Sequence, residues 1–129
     1  MRRNRITVCL ALVVFLFAGL RVEPSAAGQA KAKEITIEGE IVDVYCYMSR
    51  HEGSGMGPEH AACTNGCIRK GGVVGFVSKD GDLYMLLTSN SVPLKTKVAG
   101  LAGRKVKVTG TKVDRDDVEA IVVRTIART

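Results

Sequence analysis

The segment Glu34–Met48, EITIEGEIVDVYCYM, limits what this chain can fold into more than any other feature. Its β-branched and apolar residues alternate, which is the period of a strand. The alternation changes phase partway along. Ile35, Ile37, Gly39 and Ile41 share one face, and Val42, Val44, Cys46 and Met48 share the other. A long strand that changes phase at a glycine kinks or bulges there, as strands do when a small barrel closes. The expectation is a first strand running to Met48. Its Val42–Val44–Cys46 face would point inward, with Tyr45 and Tyr47 on the outer surface.

The rest of the chain supplies four more strands. GVVGFVS and LYMLLT flank Asp80-Gly81, a strong hairpin signal, and RKVKVTGTKV and EAIVVRTIA flank the polar turn DRDD. Between the hairpins, SNSVPLKTKVAGLAG reads as a connector with a helical turn or two. After the first strand, SRHEGSGMG is a loop by composition. PEHAACTNGCIRKGG then carries helix punctuation: Pro58 for the first helical position, Glu59 for the positive end, and Arg69-Lys70-Gly71 for the other. Asn65-Gly66 lowers the helix propensity, so this helix needs support from outside itself. The expected fold is all-β: a five-stranded OB-like barrel over residues 34–129, with a helical insertion at 49–71 after strand 1 and a short helix before strand 4. The chain has no tryptophan and only 5% aromatic residues, so its core must be built from Val, Ile and Leu.

The first 27 residues read as an export signal. MRRNR is a basic start, ITVCLALVVFLFAGL an apolar stretch, and Ser25-Ala26-Ala27 a small-residue cleavage site. The apolar stretch falls short of the roughly 18 residues of a spanning helix, so no stable membrane span is expected after cleavage. Residues 28–33 read as a flexible neck. The protein is expected in the periplasm or secreted. Cleavage also changes the charge: the full chain carries +6, but residues 1–27 hold four arginines and one glutamate, leaving +3. That residual charge is a poor basis for nucleic-acid binding, and the basic cluster Lys95, Lys97, Arg104, Lys105 and Lys107 has no interleaved aromatics. No nucleic-acid partner is expected.

Sulfur and imidazole gather in one stretch, YCYMSRHEGSGMGPEHAACTNGC. It holds Cys46, Cys63, Cys67 and both histidines, His51 and His60; the remaining cysteine, Cys9, leaves with the signal. On a helix, His60, Cys63 and Cys67 fall in a stripe about 60° wide. If that stripe faces the barrel, Cys46 at the end of strand 1 completes a Cys₃His set, a recognised tetrahedral combination. Thiolate donors favour copper or zinc over magnesium or calcium. Cys-x-x-x-Cys is similar in spacing to the copper-A centre of cytochrome oxidase and to the copper chaperones that serve it. His51, Met48 and Met56 offer further donors. Each also has a plainer use: His51 as a solvated loop residue, Met48 as an extension of the inner face, and Met56 as packing beside the helix. Three cysteines cannot all pair within one chain. A disulfide from Cys46 to Cys63 or Cys67 would staple the helix to the barrel and leave one thiol over. A redox pair with Cys63 as nucleophile is the third option.

Three motifs, Gly39 to Tyr47 (G-x-[IV]-V-D-x-x-C-Y), His60 to Cys67 (H-A-A-C-x-x-x-C) and Gly71 to Gly75, resemble those of a group of small exported bacterial OB-fold-like proteins. LAGRKVKVTGTKV resembles the approach to the fourth strand in small bacterial OB-like domains. The resemblance implies the barrel and the importance of the cluster, and implies no activity. No Ser-His-Asp set is legible, and nothing marks a catalytic open position. The function expected from the residues is metal handling, as a carrier, chaperone or accessory, with a metal ion and another envelope protein as partners. Its alternatives are a thiol–disulfide protein and a stapled barrel with a non-enzymatic binding role.

Overall fold

The computed structural model describes residues 33–51 and 53–129. The export signal at 1–27, with Cys9, and the neck as far as residue 32 lie outside the described residues. Lys33, assigned above to the neck, already pairs with Lys112 as the first residue of a strand.

Five strands close into a barrel in the order β1-β2-β3-β5-β4. They are β1 (Lys33–Asp43), β2 (Val74–Ser78), β3 (Leu83–Leu87), β4 (Lys105–Arg115) and β5 (Val118–Arg128). Neighbours pair antiparallel except β3 with β5, which run parallel. This is the OB-like plan. Helices lie after the first strand and before the fourth, as expected, but the first begins at Val44, ahead of the insertion expected at 49–71: α1 (Val44–Ser49), a 3₁₀ turn at Pro58–His60, α2 (Ala61–Arg69) and α3 (Leu94–Lys97). No helix among the described residues is long and apolar enough to cross a membrane.

β1 closes the barrel by pairing with two partners at once. Lys33–Glu40 pair with β4 and Gly39–Asp43 with β2, so Gly39 and Glu40 belong to both ladders. Gly39 is a glycine because β2 crosses it closely: a Cβ there would run into the Val77 carbonyl and lie 2.6 Å from the Phe76 ring. No bulge interrupts the strand at this glycine. The register of β1 advances without a break along both partners.

The faces of β1 are the reverse of the expectation. Ile41 belongs to the barrel core with Phe76, Val106, Val108 and Ile121, and Ile35 and Ile37 pack against it. Val42 is equally buried but alternates to the opposite face. There, Val42 and Val44 both approach Gly75 of β2. The change of apolar phase thus marks where the outer face of the strand becomes covered by the helical insertion.

Both hairpins form. The second is tighter than the sequence suggested: Asp114 and Arg115 remain in the ladder, and Asp116-Asp117 alone make the turn, with φ of 49° and 65°. Two consecutive left-handed residues are the type I′ geometry, whose twist matches that of the strands, and aspartate tolerates it.

Candidate metal centre

β1 ends at Asp43, five residues short of the expected end at Met48, because Asp43 caps a helix. Its side chain accepts the Cys46 backbone N–H at 3.0 Å, filling one of the donors a helix start leaves open. Cys46 therefore stands on α1 and not on β1, and Tyr45 and Met48 go with it to the surface, 73% and 67% exposed. Both had been placed on the barrel by the strand reading; Met48 is not a core residue. Cys46 itself is 1% exposed. An aspartate at this position is the kind of residue that starts a helix, since its short side chain can reach the open N–H groups of the first turn.

α2 arrives over the barrel by a second set of contacts. Glu40 of β1 accepts the Gly57 N–H at 2.6 Å, and Gly103, just before β4, packs on Pro58 and Ala61. Asn65, a weak helix former, is absorbed by donating to the Ala61 carbonyl at 2.8 Å. The helix ends with the N–H groups of Gly71 and Gly72 turned back onto the carbonyls of Ile68 and Cys67. Its buried line is His60, Thr64 and Ile68, spaced i, i+4, i+8. The expected stripe of His60, Cys63 and Cys67 is therefore one flank of the buried face. Ile68, which belongs to the hydrophobic core, is the apolar contact.

That flank meets α1. The Cys46 Sγ lies 4.0 Å from Cys63 Sγ and donates to Cys67 Sγ at 3.8 Å, and all three sulfurs fall within 4.8 Å of one another. Among the described residues no disulfide joins them. Burial pushes the Cys46 thiol well above the ordinary thiol range, with hydrogen bonding to Cys67, Asp43 and Cys63 adding to the shift. As an apo site, this is a packed set of thiols.

The separations are informative about what fits between the sulfurs. A tetrahedral ion with bonds of about 2.3 Å holds its sulfur ligands about 3.8 Å apart, and a trigonal ion with the same bonds about 4.0 Å. The two Cys46 separations match these values, so the three cysteines fit a thiophilic ion.

The other expected donors are placed differently. His60 is 4% exposed and stands outside the three-sulfur group, with its Nε2 buried and lacking a hydrogen-bond partner. Asp43 Oδ2 is the other buried side-chain polar atom in that condition among the described residues. His51 is exposed in the turn after α1, where its N–H donates to the Cys46 carbonyl at 3.0 Å. Met48 and Met56 line an open groove with Tyr47, Arg50, Gly53 and Ser54. Compared with protein-family models, curated proteins and solved structures, the chain matches none.

Proposed function

We propose that this protein binds one thiophilic metal ion, copper or zinc, through Cys46, Cys63 and Cys67, with His60 as the fourth donor. It would serve as an exported carrier, chaperone or accessory, working with another protein of the envelope. The observation that carries this reading is the convergence of three sulfurs, from residues 17 and 21 positions apart in sequence, at separations of 4.0 and 3.8 Å. The buried Nε2 of His60 supports the fourth place, since an imidazole nitrogen without a partner is costly unless something binds it. The metal would supply charge to balance the thiolates and a crosslink between α1 and α2. Export rests on the basic, apolar and small-residue pattern of residues 1–27.

The test is native mass spectrometry of the protein from an exporting host, paired with its denatured mass. The expected result is a native mass about 63–65 Da above the apo value, with every thiol reduced on denaturation. Cys63→Ser should abolish that gain, and His60→Ala should weaken it. A denatured mass short by two hydrogens, with no metal in the native ion, would sink the metal reading. The sulfurs would then be a thiol–disulfide pair with one thiol over. Unchanged binding in His60→Ala would remove His60 alone.

A further inference from the structure

The Asp43 carboxylate is wedged between two of the three sulfur-bearing residues. One oxygen holds the Cys46 N–H; the other, Oδ2, faces Gly72 beside the Cys67 carbonyl. Asp43 is 2% exposed, and Oδ2 has no hydrogen-bond partner. Gly72 is what leaves room for it: a Cβ at that position would collide with Oδ2 and lie 2.9 Å from the Cys67 oxygen. A helix cap needs one carboxylate oxygen, and serine or asparagine would serve as well. The cap therefore accounts for Oδ1 and leaves the buried Oδ2 unexplained.

We propose that Asp43 is the specificity-determining residue of the sulfur cluster, tilting it toward a dication such as zinc and away from cuprous copper. The inference rests on the metal reading above. Three thiolates already concentrate negative charge in a part-buried place, and Asp43 adds a buried anionic oxygen beside them. An uncompensated buried charge is expensive, and a dication offsets twice the charge that a monocation does. Carboxylate oxygen is also a hard group, poorly matched to cuprous copper and acceptable to zinc, either as a ligand or as the neighbour that orients one. Asp43 acts in this scheme through charge and through its grip on Cys46, so it is a positioning residue with an electrostatic consequence.

The experiment compares zinc and cuprous copper, each titrated alone against a competing chromophoric chelator under reducing conditions. The proteins are the wild type, Asp43→Asn, Asp43→Ser and Cys63→Ser. Asparagine and serine both keep the cap, so α1 is retained, and circular dichroism of the apo proteins checks this. The expected result is a loss of about 10- to 100-fold in zinc affinity in both Asp43 variants, with cuprous copper affinity kept within about threefold. Cys63→Ser should lose both metals. Equal losses for the two metals would mean a structural role only and would overturn the specificity assignment, as would unchanged zinc affinity. Both outcomes would leave the metal reading standing. A wild type that binds neither metal would overturn both.

Discussion

The barrel and its helical insertion bury different chemistry. The barrel core is made of Ile41, Phe76, Val106, Val108 and Ile121, each at most 1% exposed. The insertion between β1 and β2 buries Cys46, His60, Thr64 and one aliphatic side chain, Ile68. Apolar burial at roughly 25 cal/mol per Å² can hold the barrel together. It cannot hold two short helices with so little apolar surface between them, and isolated helices of six and nine residues do not persist in water. The contrast teaches that the insertion depends on polar anchors such as Asp43 and Glu40.

The strongest way to break this comparison is at the barrel. Phe76→Ala should cost about 3–5 kcal/mol and unfold both regions together, read as one denaturant transition with a lowered midpoint. Loss of the insertion alone would mean that the barrel does not depend on this ring. On the proposed reading of the cluster, removal of its metal should do the reverse. On chelation, amide exchange within 44–72 should quicken by tenfold or more while the β4–β5 ladder keeps its protection, because the free energy of binding is spent on the elements that supply the ligands. Uniform quickening across the chain would erase the distinction between the regions.

A pH series sharpens the same contrast. The Cys46 thiol is raised in the folded protein, so its contribution to apo stability is complete below the ordinary thiol value of 9.0 and is lost as pH rises past it. The apo insertion should therefore loosen progressively above about pH 9. Metal affinity should move the opposite way, rising with pH as protons stop competing for the sulfurs. Exchange rates and metal titrations at matched pH test both signs, and a pH-independent affinity would remove all three thiols from the ligand set. The smallest effect belongs to the barrel surface. Glu34 and Arg124 form a two-bonded pair at 2.6 and 3.0 Å, but both are more than half exposed. Glu34→Gln should change the thermal midpoint by no more than about 1 kcal/mol equivalent and leave the insertion unaffected.

Local pattern determined much of this molecule. Alternation and turn residues were enough for five strands, two hairpins and the OB-like order, because a half-buried strand writes its period into adjacent residues. Helical spacing likewise put Cys63, Cys67 and His60 on neighbouring rows of one helix. Tertiary structure decided what lies beyond such short-range signals. Alternation in Val42–Met48 suits a strand, yet the Asp43 cap and the cover from α2 turn it into a helix. A strand buried on one face and a strand buried on both cannot be told apart until the covering element is placed, which is why Val42 and Ile41 exchanged faces. The meeting of Cys46 with Cys63 and Cys67 is also tertiary: separations of 17 and 21 residues leave no periodic trace. Only the docking of α2 by Glu40 and Gly103 brings those sulfurs to within ligand distance of one ion.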